Sequence, residues 1–310
     1  MEASISLNNV SKQFQLRKVL KQVSFGVEKG TIFYLAGPSG SGKTTLLKIL
    51  TTLIRPDNGT IYIQGLNLET RSKKIRTLTG YVSEENTLNP ELTVFENLRL
   101  HGVLSGLTQD VASTRAMRNL DRFHLVERAH DYPPELSYGM QRRVVVARAM
   151  LHRPEILFLD EPTTNVDPDT RDTIWRRLQE IRGETTIFIT ARDLDAAEEF
   201  ADRIIILAEG EVVIDGTADS LRTDSPRITE YLIRFKSANP QYEKVLESIE
   251  AIASLEGTDG REFTLQLNPG YGLETVLRNF NDEQIEDFAI QEPSLNDIMM
   301  DLIRRKMPVE

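Results

Sequence analysis

The 310-residue sequence contains no cysteine and a single tryptophan. The absence of cysteine excludes disulfide bonds and cysteine-ligated zinc sites, and it is compatible with a reducing compartment. The N-terminal stretch, MEASISLNNVSKQF, lacks the basic segment and the apolar core of a signal peptide. The most apolar run, residues 144–159, falls short of the ~18 uncharged residues of a membrane span because Arg148, Arg153 and Glu155 interrupt it. We therefore expect a soluble, cytoplasmic chain.

Positive charge is also scarce, with 37 lysines and arginines against 47 acidic residues and a formal net charge of −10. Because nucleic-acid binding depends on basic patches, nucleic acid is not a predicted partner. The histidines show no metal-ligand spacing, so no histidine-bound metal site is predicted. An apolar fraction of 40% is enough for packed cores, and the length suggests about two domains of ~150 residues each.

The most specific pattern is the glycine-rich loop GPSGSGKTT at residues 37–45, which fits G-x-x-x-x-G-K-[ST] at every required position. It follows a β-prone apolar run, TIFYLA, and precedes a helical one, TLLKIL. Backbone N–H groups and the helix dipole hold phosphate in such a loop. Lys43 is expected to reach the β- and γ-phosphates, and Thr44 to ligate Mg²⁺. The predicted nucleotide-binding residues are Gly37, Ser39, Gly40, Ser41, Gly42, Lys43, Thr44 and Thr45, so the chain is predicted to bind a nucleoside triphosphate.

A second phosphate-side element is the apolar run Ile156–Leu159 followed by Asp160 and Glu161. A buried strand that ends in carboxylates places them at the carboxyl edge of a parallel sheet, beside the phosphate loop. Asp160 is expected to hold Mg²⁺ there, and Glu161 to orient and deprotonate the attacking water. The alternative is a strand end with two solvated acids.

The order of these motifs resembles that of the ATP-binding subunit of an ABC transporter, over residues 5–222. The resemblance implies a P-loop NTPase cassette that binds ATP and Mg²⁺ and hydrolyses ATP, with Lys43 and Glu161 in catalytic roles. Phe14 stands where the family places an adenine-stacking aromatic, although it could equally be a core aromatic. LSYGM at residues 136–140 stands at the LSGGQ signature, and Asn165-Val166-Asp167 at the D-loop.

In this family two cassettes enclose two ATP molecules head to tail, so each signature completes the partner's site. Ser137 is predicted to cap the helix that starts near Gly139, where a hydroxyl and helix-terminal N–H groups suit the partner's γ-phosphate. The alternative is a plain helix cap without a ligand. The implied partners are separate transmembrane subunits and a second cassette, and the implied location is the inner face of the cell membrane.

Three family positions are altered. Glu84 stands where the Q-loop glutamine is expected, Arg192 where the switch histidine is expected, and Tyr138 replaces the first signature glycine. Glu84 near a triphosphate would be repelled unless it coordinates Mg²⁺ or is neutralised. We therefore predict that Glu84 and Arg192 compensate each other, as an ion pair or in a shared Mg²⁺–phosphate network, and we count both as catalytic candidates. The alternative is drift in a subunit that need not hydrolyse ATP.

The run of apolar segments predicts an α/β cassette at residues 1–224, with a parallel core, an antiparallel β edge and a helical subdomain at 90–152. Thr223–Pro226 reads as a linker. Beyond it, alternating Tyr231, Ile233 and Phe235 indicate a strand, and helical stripes follow. Residues 225–310 are therefore predicted to form a small ferredoxin-like α+β domain, with an accessory or regulatory role. Its segment EPSLNDI, residues 292–298, resembles the C-terminal extension of ABC-2-type exporter ATPases.

Together these features predict the motor subunit of an ABC-2-like exporter. Because Tyr138 replaces a glycine where backbone must approach phosphate, we predict slow hydrolysis and favour a heterodimer with a more regular cassette over a homodimer. Two alternatives remain open. One is a nucleotide-gated scaffold without productive turnover, and the other is a soluble ABC ATPase that acts on ribosomes or DNA.

Overall fold

The computed structural model describes residues 3–224, 230–257, 259–268, 271–281, 284–291 and 294–306. The chain divides into two compact units, Met1–Ala218 and Asp219–Glu310. Of the predicted linker, Thr223 and Asp224 belong to a helix, whereas Ser225 and Pro226 lie outside the described residues. The predicted domain boundary after residue 224 stays a prediction. Within the described ranges, no helix is both long and apolar enough to cross a membrane.

The first unit contains two sheets. Its strands are β1 Ala3–Phe14, β2 Arg17–Glu28, β3 Ile32–Ala36, β4 Asn58–Ile63, β5 Leu66–Asn67, β6 Thr79–Val82, β7 Ile156–Asp160, β8 Thr186–Ala191, β9 Arg203–Ala208 and β10 Glu211–Gly216. Strands β2-β1-β4-β5 form the antiparallel sheet, and β10-β9-β3-β8-β7-β6 form the main sheet. The main sheet is parallel except for β10 at its edge. This is the parallel core with an antiparallel β layer that the sequence predicts.

Helices of the same unit flank the main sheet and fill the range between β6 and β7. They are α1 Lys43–Leu50, α2 Ser72–Leu78, α3 Val94–Leu104, α4 Gln109–Arg122, α5 Tyr138–Ala149, α6 Pro168–Ile181 and α7 Ala197–Phe200, with 3₁₀ turns at Val126–Arg128 and Pro133–Glu135. Their starts follow local sequence, since Thr93 and Glu96 form a capping box and Asp167 caps α6 just before its first proline. The predicted helical subdomain is thus helical.

An aromatic ladder holds the central strands in register. Phe33 of β3 pairs with Phe188 of β8, and Phe158 of β7 pairs with the same residue from the other side. The ring centroids are 4.9 Å apart for the first pair and 5.7 Å for the second, and all three side chains are fully buried. Every residue of β3, β7 and β8 is buried, which explains why these three strands consist mostly of apolar residues.

The second unit is an antiparallel α+β sandwich. After α8 Ala218–Asp224 come β11 Glu230–Phe235, α9 Pro240–Glu247, β12 Ile252–Gly257, β13 Glu262–Leu267, α10 Leu273–Leu277, β14 Ile285–Gln291 and α11 Leu295–Lys306. The order βαββαβ and the sheet order β12-β13-β11-β14 are those of a ferredoxin-like domain. Alternating residues of β11 and β13, such as Ile233 and Phe263, pack on Tyr242 and Leu246 of α9. Glu292 and Pro293 of the exporter-like tail segment lie outside the described residues.

Candidate nucleotide-binding site

Strand register brings the sequence-predicted elements to one edge of the main sheet. Ala36, the last residue of β3, pairs with Ala191, and Asp160, the last residue of β7, pairs with Thr190. Parallel strands end on the same side, so the glycine loop after β3, the carboxylates after β7 and Arg192 after β8 share one edge. The sequence pattern alone placed the first two elements there.

Two glycines of the phosphate loop, Gly37 and Gly42, occupy positions where a side chain would collide with neighbouring backbone. Gly37 and Gly42 have φ values of +149° and +108°, and a Cβ on Gly42 would approach the carbonyl oxygen of Val19 to 2.8 Å. A Cβ on Gly37 would collide with the Leu207 carbonyl. Ser39 and Gly40 form the exposed crest of the loop, and Thr45 lies in the first turn of α1.

Ser41 and Lys43 point polar groups into the loop. The Ser41 hydroxyl is buried and has no hydrogen-bond partner within the protein, which is a group that a phosphate oxygen would satisfy. The Lys43 ammonium donates to the carbonyl oxygens of Gly37, at 2.7 Å, and Pro38, at 3.0 Å. Burial lowers the pKa of Lys43, and the nearby Glu161 carboxylate opposes this shift. The Lys43 side chain therefore lies against the phosphate loop, where it is predicted to contact the β- and γ-phosphates.

Thr44 and Asp160 bring a hydroxyl and a carboxylate together across the site. The Thr44 hydroxyl donates to Asp160 Oδ1 at 3.3 Å, and the Thr190 hydroxyl donates to the same oxygen at 2.6 Å. Burial raises the pKa of Asp160, and both hydrogen bonds oppose this shift. Oxygen ligands of this kind fit Mg²⁺. Since the described residues contain no cluster of three or more side chains that could hold a metal, phosphates and water would complete its coordination.

Glu161 follows Asp160 in a strained backbone turn. Its φ is +45°, in the left-handed region that non-glycine residues seldom occupy. The Glu161 amide donates to the carbonyl oxygen of Thr190 at 3.1 Å, which ties the turn to β8. Its carboxylate is only 5% exposed. The turn therefore aims a buried carboxylate at the edge of the sheet.

Arg192 joins Glu161 to Glu84. Its guanidinium lies 2.8 Å from a carboxylate oxygen of Glu161 and 2.9 Å from one of Glu84. Hydrogen bonding to Glu161 and attraction to both carboxylates raise the pKa of Arg192. The ion pair that the sequence predicts between Glu84 and Arg192 is present, and Glu161 is a second partner that was not predicted. The Glu84 carboxylate is thereby engaged with a guanidinium, and its predicted role as a Mg²⁺ ligand stays a prediction.

The tip of the β1–β2 hairpin lies beside the phosphate loop. Phe14 pairs with Arg17 across the hairpin, and a Cβ built on Gly40 would lie 3.7 Å from the Arg17 guanidinium. Phe14 is 47% exposed, so it is not a core aromatic, and the Lys12 ammonium lies 5.3 Å from its ring centroid. The ring is therefore available for stacking. Arg17 was not singled out from the sequence, because a lone arginine after a strand carries no local signal.

The signature segment forms the start of α5. Ser137 caps the helix by accepting a hydrogen bond from the Met140 amide at 3.3 Å, so the helix begins at Tyr138, one residue before the predicted start. The Tyr138 side chain is 46% exposed. Gly139 is buried against the D-loop, where a Cβ would collide with Asp167 and lie 2.6 Å from the Thr170 hydroxyl. Close packing therefore requires a glycine at the second signature position.

Arg142, one turn further along α5, is a second residue that sequence reasoning missed. It is fully buried, and its guanidinium donates to backbone carbonyl oxygens of the Glu84 loop and of the turn that carries Glu161. An arginine on a helix normally predicts an exposed side chain. Nothing in its local pattern distinguishes it from its neighbours.

Comparison with known proteins identifies the family. Residues 20–164 match the ABC transporter family model. Daunorubicin resistance ATP-binding protein DrrA3 of Streptomyces coeruleorubidus is 32% identical over 97% of this chain and 96% of its own length. Linearmycin resistance ATP-binding protein LnrL of Bacillus subtilis is 30% identical over 98% of this chain and 99% of its own length.

A solved structure matches the cassette. The dimeric ATP-binding cassette MJ0796, in a post-hydrolysis state bound to ADP and Pi, aligns with 69% of this chain and 98% of its own, at a TM-score of 0.65 and 31% identity. These matches agree with the motifs at one sheet edge and with the fold around them. The chain therefore belongs to the ABC transporter family, as an ATP-binding subunit built on a P-loop ATPase cassette.

Proposed function

We propose that this protein is the motor subunit of an ABC-2-type exporter and that it binds ATP tightly and hydrolyses it slowly. The exporter assignment is supported by two relatives named for resistance to daunorubicin and linearmycin, which align over nearly the whole chain, including the second unit. Slow hydrolysis is supported by one observation, the ion pair between Arg192 and Glu161.

The residues at the sheet edge account for binding. The glycine loop offers N–H groups and the Ser41 hydroxyl to phosphate, and the Lys43 ammonium neutralises charge at the β- and γ-phosphates. Thr44 and Asp160 would hold Mg²⁺, which supplies positive charge to the phosphate oxygens. Phe14 offers an exposed ring to the adenine base.

The same edge accounts for slow turnover. Hydrolysis splits the bond between the β- and γ-phosphates, with water as nucleophile and the Glu161 carboxylate as acceptor of its proton. The Glu161 carboxylate is held towards the Arg192 guanidinium, 2.8 Å away, so its oxygens are engaged with Arg192 and not with a water molecule. Arg192 must leave Glu161 before the water is activated, and the γ-phosphate is the competing anion at this edge. The rearrangement lowers the rate and leaves binding intact.

The cassette acts as one half of a dimer on separate transmembrane subunits, at the inner face of the cell membrane. A dimer is supported by the dimeric state of the cassette MJ0796. Ser137 at the start of α5 serves the partner's ATP, because its hydroxyl and the N–H groups at the start of the helix suit a γ-phosphate. The bulky Tyr138 beside it weakens that second site, which favours a heterodimer with a more regular cassette. ATP closes the dimer, and hydrolysis reopens it.

The test combines ATP binding and turnover. The cassette is purified alone and with any membrane protein found to be encoded beside it, and ATP affinity, dimerisation and phosphate release are measured for the wild type and Lys43→Ala. We expect submillimolar ATP affinity that Lys43→Ala weakens at least about tenfold, and slow turnover that the membrane partner accelerates. Fast turnover of the isolated homodimer would refute the proposal. ATP-dependent assembly without any turnover, even with the partner, would instead support the nucleotide-gated scaffold.

A further inference from the structure

The buried guanidinium of Arg142 connects three functional segments. Its Nε donates to the carbonyl oxygen of Pro162 at 2.9 Å, Nη1 to those of Ser83 and Glu84 at 2.5 and 3.1 Å, and Nη2 to those of Asp160 and Glu161 at 2.9 and 3.0 Å. Arginine has five N–H donors, and all of them are used here on backbone carbonyls. The side chain belongs to α5, so the signature helix is bonded both to the Glu84 loop and to the turn after β7.

The contacts to the turn are of an uncommon kind. Three successive carbonyl oxygens, from Asp160 to Pro162, converge on one guanidinium. Such convergence requires the chain to depart from strand geometry, and the departure is the left-handed conformation of Glu161 at φ +45°. Converging carbonyl dipoles repel one another unless a cation lies between them. Arg142 therefore supplies the charge that stabilises the strained turn.

The contacts to the Glu84 loop act on the other carboxylate. Arg142 binds the carbonyls of Ser83 and Glu84, leaving the Glu84 side chain free to reach Arg192. The two carboxylates that share Arg192 are thus both held, through their backbones, by one residue of α5. Asn86 adds a weaker link, since its amide nitrogen lies 3.4 Å from the carbonyl oxygen of Tyr138.

We propose that Arg142 is a positioning residue for hydrolysis: it holds Glu161 and Glu84 in place and ties both to the signature helix. The role rests on the proposed hydrolysis at this site. All five N–H donors of Arg142 are used on backbone carbonyls, so the residue would act through the segments that it holds and not on the reacting atoms. Lysine keeps the charge but has three donors on a different geometry, and methionine removes the charge, so neither can hold five carbonyls at once.

The experiment compares Arg142→Lys and Arg142→Met with Arg143→Lys. Arg143 is the next residue of the same helix, and its guanidinium donates to a single carbonyl, that of Phe123, at 3.2 Å. Single-turnover hydrolysis, ATP affinity and urea unfolding followed by Trp175 fluorescence are measured for each. We expect at least about a tenfold loss of the hydrolysis rate in Arg142→Lys, because misalignment of the Glu161 turn outweighs the weakening of its ion pair with Arg192. We expect a larger loss in Arg142→Met, and little change in ATP affinity in either variant. Arg143→Lys should behave like the wild type.

A readout that does not depend on activity separates this proposal from the proposed function. The coupling between Glu161 and Arg192, measured by a double-mutant cycle on unfolding, should be at least halved in the Arg142→Lys background. If the wild-type protein shows no turnover, the proposal of slow hydrolysis is refuted, but the coupling between Glu161 and Arg192 can still be measured. The positioning role is overturned if Arg142→Lys matches Arg143→Lys in both rate and coupling. It is also overturned if both Arg142 variants lose the cooperative unfolding transition, which would assign the residue to folding alone.

Discussion

Arg192 offers the most direct perturbation of the candidate site, because it lies between two carboxylates in different surroundings. Replacing it with histidine, the residue expected at this position, removes the charge at pH 8, where an ordinary histidine is neutral. Two double-mutant cycles separate its partners: Arg192→His with Glu84→Gln, and Arg192→His with Glu161→Gln. Each cycle isolates one pairwise interaction.

The exposure of each carboxylate sets the expected magnitudes. Arg192 and Glu84 are 51% and 48% exposed, so water and salt screen their pair, which should contribute about 0.2–1 kcal/mol to stability. Glu161 is only 5% exposed, and hydrogen bonds to charged groups contribute about 1.5–3 kcal/mol. Because Arg192 itself is half exposed, we take the lower end for this pair, about 1–2 kcal/mol. The coupling with Glu161 should therefore exceed the coupling with Glu84.

Urea unfolding followed by tryptophan fluorescence measures both couplings. Trp175 is the single tryptophan of the chain, is 3% exposed and stacks on Phe200 at 4.5 Å between ring centroids. Its emission therefore reports the first unit only. Turnover of the same variants provides a second readout: Arg192→His with Glu84→Gln should hydrolyse ATP faster than the wild type, because Glu161 is released and Glu84 no longer repels phosphate.

Couplings of zero within error for both pairs would show that the ion pairs are absent in solution. A larger coupling with Glu84 than with Glu161 would show that burial does not set the strength of these ion pairs. If both couplings are measurable but the variant Arg192→His with Glu84→Gln hydrolyses ATP no faster than the wild type, the ion pairs exist in solution. They are then not the cause of slow hydrolysis.

Three further predictions concern separate parts of the cassette. Lys43→Ala removes the ammonium folded over the phosphate loop and should weaken ATP binding at least about tenfold in calorimetry; unchanged affinity would exclude this loop as the nucleotide site. Gly139→Ala should cost about 1–3 kcal/mol of unfolding free energy, measured with Trp175, since the added Cβ meets Asp167; a loss below about 0.5 kcal/mol would contradict the packing. Burial lowers the pKa of His101 to about 4, below its value of about 6.5 in the unfolded chain, so the unfolded state binds more protons in between and stability falls as pH decreases through that window. From pH 8 to 5 the loss due to His101 should be about 1–2 kcal/mol, and the total loss should shrink by that amount in His101→Gln, whereas His152, whose pKa is also lowered by burial, keeps its own contribution; identical pH profiles would refute the shift.

Local sequence patterns anticipated much of the site. The phosphate loop was predictable because its glycines, lysine and threonine stand at fixed spacing between a strand and a helix. Asp160 and Glu161 were predictable because an apolar run leads directly into them, so that a buried strand ends at Asp160. Ser137 was predicted as a helix cap and does cap α5, which begins one residue before the predicted start, since capping depends on neighbours in sequence.

Long-range contacts were harder to anticipate. Glu161 and Arg192 are separated by 31 residues, and Glu84 and Arg192 by 108. The pairing of Glu84 with Arg192 was inferred from complementary charges, but the sharing of Arg192 with Glu161 was not. Arg142 escaped notice because its role depends on backbone carbonyls, which carry no residue identity.

The sequence by itself therefore determined that this chain binds a nucleoside triphosphate, which residues form the phosphate loop and which strand carries the carboxylates. Only the tertiary structure decided that Arg192 holds Glu161 and that Arg142 is buried under both acidic segments. The physical reason is that motif spacing is a property of consecutive residues. Strand register and helix packing, by contrast, are set by the aromatic ladder and the buried core, and they decide which charges meet.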